Sequence, residues 1–304
     1  MKKLLDYLSL IKFSHTIFAM PFAITGFFMG IFHLRSIQPA IFPANKNIVL
    51  AYFSNEYMTF IWVIACMVFA RTAAMAFNRY LDREFDAKNP RTAIREIPKG
   101  IISPSSALRF TILNVILFMG AAFMINMTCF LLSPIALLVI LGYSYTKRFT
   151  ALCHLVLGLG LALAPTGAFI AVTETVNSAV ILLSLGVITW VSGFDIIYSL
   201  QDEEFDSSMG LRSIPAALGR KNALLLSRIL HIASALFVFG ADIQMELGWS
   251  GTIGLGIFVG LLNYQHSLVK ADDLSKVNIA FMTTNGIASL LYAFFTVLDL
   301  FLKA

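Results

Sequence analysis

The chain has 304 residues and a formal net charge of +5 at pH 7. Residues of the AVILMFWYC set make up 58 % of it and charged residues only 13 %, with a mean hydropathy of +0.81, whereas soluble domains carry about a quarter charged residues. These values exclude a soluble enzyme, a disordered chain, a disulfide scaffold and a coiled coil, and they indicate a membrane protein.

Nine apolar segments predict an all-α fold, a polytopic membrane bundle of nine transmembrane helices in one domain, 1–304. A helix needs about 20 apolar residues to cross about 30 Å of hydrocarbon, and outer-membrane strands would show alternating ten-residue segments instead. The opening residues 1–13 predict an interfacial amphipathic helix and not a signal peptide. The nine predicted segments are 14–34, 57–77, 104–125, 127–143, 151–172, 179–200, 222–241, 247–264 and 278–302.

The basic residues predict the orientation, since Lys and Arg accumulate in cytoplasmic loops. Six of them follow the second predicted helix, two follow helix four, three follow helix six and two follow helix eight, whereas the opposite loops hold little beyond Arg35 and Lys46. We therefore expect a cytoplasmic N-terminus, with every strongly charged loop on the cytoplasmic side of a bacterial inner membrane.

The cysteine, histidine and glycine patterns indicate packing. The three cysteines form no CxxC pair and the five histidines no HxxxH motif, so we expect no thiolate, zinc or haem site. Gly26 with Gly30, and Gly256 with Gly260, match GxxxG, which predicts close helix packing.

The acidic residues cluster in two stretches, NRYLDREFD and DIIYSLQDEEFD, which hold eight of the seventeen. In the first acidic stretch, side-chain oxygens at positions i, i+4 and i+8 project from one helix face. The second stretch forms a similar stripe, 120 residues further along the chain. Each stretch is followed by an R-x-I-P element, so 78–100 and 195–215 resemble an internal duplication. The residues of the two stripes are Asn78, Asp82 and Asp86, and Asp195, Tyr198, Asp202 and Asp206.

Carboxylates on one face repel each other and need a compensating cation. Carboxylate and amide oxygens suit Mg²⁺, which prefers one or two carboxylates together with phosphate oxygens. The sequence has no GxxxxGK[ST] loop, so phosphates would be held through metal and basic side chains. Two acidic motifs that would bind metal and diphosphate, in a site that opens into a bilayer, predict a lipid diphosphate substrate. The candidate basic residues are Lys88, Arg91, Lys147, Arg148 and Arg212.

These motifs resemble those of the UbiA-type intramembrane aromatic prenyltransferases, which include 4-hydroxybenzoate polyprenyltransferases. The resemblance spans about residues 10–290. It rests on Asn78-x3-Asp82-x3-Asp86 and Asp195-x2-Tyr198-x3-Asp202-x3-Asp206, on Arg71 before the first motif, on Arg91-Thr92 and Ser213 after the motifs, and on Tyr145-Thr146-Lys147-Arg148.

The resemblance implies a helical bundle with a lipid-open central cavity, in which two Mg²⁺ ions bridge the acidic motifs to an isoprenyl diphosphate. Asn78, Asp82 and Asp86 would hold one ion, and Asp202 and Asp206 the other. Asp195 with Tyr198 would orient or deprotonate the acceptor, and Arg71 would bind its carboxylate. The residues implied at the diphosphate are Lys88, Arg91, Lys147, Arg148, Arg212 and Ser213.

The first helix departs from the 4-hydroxybenzoate enzymes, because residues 11–21 lack the charged pair expected before Pro21. This variant is more similar to the branch associated with menaquinone made through a futalosine-type route, whose acceptor is a dihydroxynaphthoate. The sequence leaves the acceptor open between the two acids. A relative that acts on haem or chlorophyllide, and a secondary transporter, remain as alternatives.

Overall fold

In a computed structural model the chain is described over residues 2–11, 19–42 and 48–303, and this part is helical without a β-strand. Turns of 3-10 helix lie at Pro39–Ile41 and Leu200–Asp202, and a π-helical segment, Ile279–Thr284, leads into the last helix. The helices are α1 (Lys2–Leu10), α2 (Met20–Ile37), α3 (Ile48–Leu81), α4 (Arg83–Lys88), α5 (Pro104–Ile125), α6 (Met127–Thr146), α7 (Cys153–Thr173), α8 (Ser178–Ser199), α9 (Glu203–Ser208), α10 (Ile214–Gln244), α11 (Trp249–Leu268) and α12 (Asn285–Leu302).

Each of the nine predicted segments overlaps one long helix in the described part of the chain. Eight helices there are long and apolar enough to cross a membrane. The ninth, α11, has 20 residues, but its last turns carry Asn263, Gln265 and His266. These lengths and compositions indicate an integral membrane protein.

Two helices begin well before their predicted starts. The helix α3 begins at Ile48 instead of 57 and kinks at Glu56, where φ is −123° and ψ is 25°. The helix α10 begins at Ile214 instead of 222 and breaks at Gly219, whose φ of 74° favours glycine. Both extensions lie next to polar residues. A prediction based on the length of apolar segments therefore leaves these first helical turns out. Residues 12–18, which make up most of the variant first-helix sequence 11–21 and include His15, lie outside the described residues.

An aromatic cluster holds α8 in the centre of the bundle. Trp190 is completely buried, with ring centroids 5.1 Å from Phe22 of α2 and 5.9 Å from Phe258 of α11. Its indole Nε1 donates a hydrogen bond of 3.0 Å to Oδ1 of Asn285 in α12. Because a buried indole that keeps its polar partner packs in one orientation, this cluster fixes the helix that carries the second acidic stretch.

The two GxxxG pairs differ in the structure. A Cβ on Gly26 would lie 2.2 Å from the carbonyl oxygen of Pro165 in α7, and one on Gly30 would lie 3.0 Å from Cβ of Val172. The predicted close packing is therefore confirmed for α2. It is wrong for Gly256 and Gly260, since nothing in the described part of the chain lies within 4 Å of a Cβ at either position.

Candidate active site

The first acidic stretch lies where α3 ends and α4 begins. Backbone bonds from Asp82 N to Asn78 O (2.9 Å) and from Asp86 N to Asp82 O (2.8 Å) continue the helical i to i−4 pattern across the junction. The amide Nδ2 of Asn78 donates to Oδ2 of Asp82 at 2.9 Å. The predicted i, i+4, i+8 spacing is therefore kept although the helix is interrupted at Asp82.

The second acidic stretch is built in the same way. Asp195 and Tyr198 belong to α8, the helix changes to a 3-10 turn that ends at Asp202, and Asp206 lies in the six-residue α9. Asp202 and Asp82 both precede a six-residue helix as its N-cap residue. This shared local geometry supports the duplication that the sequence predicts.

The loop after the first stretch contacts the second stretch directly. Nε of Arg91 donates to Oδ1 of Asp202 at 3.0 Å, its Nη2 forms an ion pair with Oδ2, and its Nη1 donates to the Tyr198 hydroxyl at 3.0 Å. Nδ2 of Asn89 also donates to Oδ1 of Asp202, at 3.1 Å. The two acidic stretches therefore lie side by side.

Two consecutive basic residues at the C-terminal end of α6 contact both acidic stretches. Nζ of Lys147 lies 2.7 Å from Oδ1 of Asp206, and Nη2 of Arg148 lies 3.5 Å from Oδ1 of Asp82. Asp86 is paired with Nη1 of Arg95 at 2.5 Å. Basic side chains thus neutralise the carboxylates that the sequence assigns to metal ions.

Burial and neighbouring charge both disfavour the ionised carboxylate of Asp82, which a cation would therefore stabilise. Burial first, and then the negative charge of Asp86, raise the pKa of Asp82, and the lowering by Arg148 and Lys147 does not compensate. At Arg91 burial lowers the pKa, but the hydrogen bonds and charge of Asp202 outweigh it and raise the pKa. The guanidinium is therefore fully charged.

The residues present fit a hard cation. Within the described residues, no three His, Cys, Asp or Glu side chains converge so as to hold a metal ion by themselves. The buried Oδ2 of Asp86, however, has no hydrogen-bond partner there. The candidate ligands supply only carboxylate and amide oxygens, which suit Mg²⁺ when phosphate oxygens complete its coordination.

An apolar chamber of about 380 Å³ lies among α3, α5, α6 and α7. Its lining on α3 runs from Val63 to Met75, which at 1.5 Å per residue is about 18 Å along the bundle. Arg71 and Tyr143 are polar members of this lining. Nε of Arg71 is buried without a hydrogen-bond partner among the described residues, so its charge faces an apolar space that an anion would complement.

Tyr143 connects the chamber to the acids. It lies near Arg71, Asp82 and Asp195, and its neighbour Ser144 accepts a bond of 3.4 Å from Nδ2 of Asn78. Tyr143 could not be singled out from the sequence, because a tyrosine in an apolar run is usual in a membrane helix.

Asp195 has a partner that the sequence did not predict. Its Oδ2 lies 2.6 Å from Nδ1 of His154, a buried residue at the start of α7. His154 is 41 residues away in sequence and belongs to no motif, so only the packing of α7 on α8 reveals the pair.

Among the described residues, Lys88 and Arg212 form no ion pair with the acids, whereas the Ser213 side chain lies within hydrogen-bonding reach of Asp206. Lys88 is exposed and makes no hydrogen bond or ion pair with the described residues. Nη1 of Arg212 donates to the carbonyl oxygen of Phe149 at 3.0 Å. Ser213 is buried and caps α10 by accepting a bond from Ala216 N.

Known proteins match this chain over most of its length. The profile of the UbiA prenyltransferase family matches residues 40–290. The 4-hydroxybenzoate octaprenyltransferase of Klebsiella pneumoniae subsp. pneumoniae is 29 % identical over 236 residues, covering 76 % of this chain and 82 % of that protein.

Solved structures agree with this match. An apo structure of a UbiA homolog from Aeropyrum pernix K1 superposes with a TM-score of 0.75 at 26 % identity, covering 95 % of this chain and 98 % of the other. A UbiA homolog from Archaeoglobus fulgidus bound to DMAPP and Mg²⁺ has the same fold, with a TM-score of 0.71 at 18 % identity and coverages of 97 % and 99 %. The chain therefore belongs to the UbiA prenyltransferase family and is a prenyltransferase of the membrane.

Proposed function

We propose that this protein transfers a polyprenyl group from an allylic diphosphate to the ring of an aromatic acid, 4-hydroxybenzoate or a dihydroxynaphthoate. The observation that carries the proposal is the contact of Arg91, beside the first acidic stretch, with Asp202 and Tyr198 of the second. One diphosphate placed there would meet both stretches and their basic partners together.

On the donor side, Asn78, Asp82 and Asp86 would hold one Mg²⁺ and Asp202 and Asp206 the other. Bound Mg²⁺ would neutralise charge on the departing diphosphate. The free Oδ2 of Asp86 and the A. fulgidus homolog bound to DMAPP and Mg²⁺ support this use of a divalent cation.

The basic side chains would exchange partners when substrate binds. Arg91, Lys147 and Arg148 now face carboxylates, and they would turn to the diphosphate oxygens once cations occupy those carboxylates. Lys88, Arg212 and Ser213 stay proposed members of this set, with Lys88 exposed and free to reach the ligand. Cationic donors aimed at the leaving group stabilise its developing charge.

On the acceptor side, the apolar chamber would exclude water from the allylic cation. Arg71 would bind the acceptor carboxylate. The bond between prenyl C1 and the diphosphate oxygen breaks, a ring carbon bonds to C1, and Asp195 takes the proton that this carbon loses. Tyr198, stacked 4.2 Å from the Phe281 ring, would fix Arg91 through its hydroxyl.

The acceptor places the reaction in quinone biosynthesis. The K. pneumoniae relative is a 4-hydroxybenzoate octaprenyltransferase, which favours 4-hydroxybenzoate and ubiquinone, whereas the sequence of residues 11–21 favours a dihydroxynaphthoate and menaquinone. The charged loops favour a bacterial inner membrane with the site facing the cytoplasm.

Purified protein supplied with Mg²⁺, a labelled polyprenyl diphosphate and each acceptor in turn tests the proposal. We expect one aromatic acid to yield a prenylated ring and inorganic diphosphate, and EDTA to abolish both. Asp82→Asn and Asp202→Asn should each lose the product while the protein still folds.

Other acceptors are outcomes of the same assay. Prenylation of haem or chlorophyllide alone would refute the aromatic-acid assignment while leaving the donor site intact. Movement of substrate across vesicles with no diphosphate release would support the transporter alternative instead.

A further inference from the structure

The His154 side chain is held between two partners. Its Nδ1 lies 2.6 Å from Oδ2 of Asp195, and its Nε2 lies 3.3 Å from the backbone N of Ile214, at the start of α10. A backbone N–H can only donate, so Nε2 is the acceptor and the ring proton lies on Nδ1. His154 therefore donates its single N–H to Asp195.

This tautomer leaves the histidine unable to serve as a base, since its only lone pair is already used by Ile214. Oδ1 of Asp195, in contrast, has no hydrogen-bond partner in the described part of the chain, and the Asp195 side chain is 22 % exposed while that of His154 is 3 % exposed. One carboxylate oxygen is thus anchored, and the other is open.

The helices that carry the pair are packed so closely that the geometry has little freedom. A Cβ on Gly158 of α7 would lie 2.5 Å from the carbonyl oxygen of Ile188 in α8. Ser192 of α8 donates to the carbonyl oxygen of His154 itself at 3.1 Å. The position of His154 is therefore determined by the same contact that positions Asp195.

We propose that His154 is a positioning residue that acts through Asp195. His154 donates to Oδ2 and thereby keeps Oδ1 of Asp195 turned toward the acceptor. Oδ1 then orients the acceptor ring and takes its proton. The inference rests on the proposed function, because it requires an acceptor at Asp195. Misplacement of a catalytic group by about 1 Å can lower a rate about 10²-fold.

Two matched substitutions separate positioning from simple packing. In His154→Asn the amide nitrogen occupies the place of Nδ1 and can still donate to Asp195, but the acceptor for Ile214 is lost. In His154→Gln the amide reaches the place of Nε2 and can still accept from Ile214, but the donor to Asp195 is lost.

The experiment measures kcat, the KM of each substrate and the melting temperature for the wild type and both variants. We expect His154→Asn to stay within about threefold of the wild type, and His154→Gln to lose about 10- to 100-fold in kcat with a raised acceptor KM. The donor KM should not change in either variant. In an Asp195→Asn background, His154→Gln should have no further effect.

Equal activities of wild type and His154→Gln, or an additive loss in the double variant, would overturn the proposal. If His154→Gln does not fold, a folded His154→Asn that loses more than about tenfold in kcat overturns it alone. A wild-type protein inactive toward every acceptor refutes the proposed function and this role together, whereas an active wild type with an unaffected His154→Gln refutes this role only.

Discussion

Replacing Arg91 by Ala should damage catalysis far more than folding. The side chain bonds Oδ1 of Asp202 and the Tyr198 hydroxyl, each at 3.0 Å, and it is 32 % exposed. A fully buried ion pair that loses one partner costs about 3–5 kcal/mol, but solvent screens this one, so we expect a loss of about 1 kcal/mol in the free energy of unfolding.

The expected loss of activity is larger because the guanidinium would face charge that develops on the leaving diphosphate. Removing one such preorganised donor lowers kcat about 10²- to 10³-fold, or about 2.7–4 kcal/mol. The kcat of Arg91→Lys should lie between those of the wild type and Arg91→Ala, since an ammonium keeps the charge but cannot bind two diphosphate oxygens with paired N–H groups.

The assay is prenyl transfer with purified protein at saturating donor and acceptor, with melting temperature measured beside it. Arg83→Ala is the matched control, because Arg83 is 33 % exposed and pairs with its neighbour Glu84 at 3.3 Å, away from the second acidic stretch. Full activity of Arg91→Ala, or an equal loss in Arg83→Ala, would refute the reasoning.

Three further changes have expected outcomes. Gly26→Ala should destabilise the protein by about 1–3 kcal/mol in thermal unfolding, because its Cβ would lie 2.2 Å from a backbone oxygen of α7, whereas Gly256→Ala, with nothing within 4 Å, should not. Burial and the charge of Asp86 raise the pKa of Asp82. Mg²⁺-dependent binding of a prenyl diphosphate should therefore weaken as pH falls through that raised pKa, at a higher pH than for an ordinary aspartate. Calorimetry on Asp82→Asn should show a smaller pH dependence of this binding. Arg71→Leu should raise the acceptor KM at least about tenfold, by loss of a charge-assisted bond, with the donor KM unchanged; equal changes in both KM values would contradict its assigned role.

Apolar length predicted the helical fold because the bilayer sets the length of each membrane-crossing helix. It could not predict the first turns of α3, since Glu56 ends the apolar run while the backbone remains helical beyond the kink. Nor could GxxxG spacing alone separate Gly26, which meets α7, from Gly256, which meets nothing described. GxxxG spacing indicates that a second helix can pack closely, but whether it does depends on where the neighbouring helices lie.

The acidic stripes were predictable because their members are close in sequence. The partners of those acids could not be predicted. Arg91 is 111 residues from Asp202, and Lys147 is too far from Asp206 in sequence for helical spacing to relate them. The same holds for His154, a single histidine without a motif. Sequence indicated which residue types the chemistry needs, and tertiary packing determined which of them pair.

The most direct test of the central claim is a structure determined with Mn²⁺ in place of Mg²⁺ and an uncleavable prenyl thiodiphosphate. We expect anomalous density at both acidic stretches, one diphosphate between them, and Arg91 turned from Asp202 to a diphosphate oxygen. Metal bound at one stretch only, or a diphosphate outside the space between Asp82 and Asp202, would contradict it.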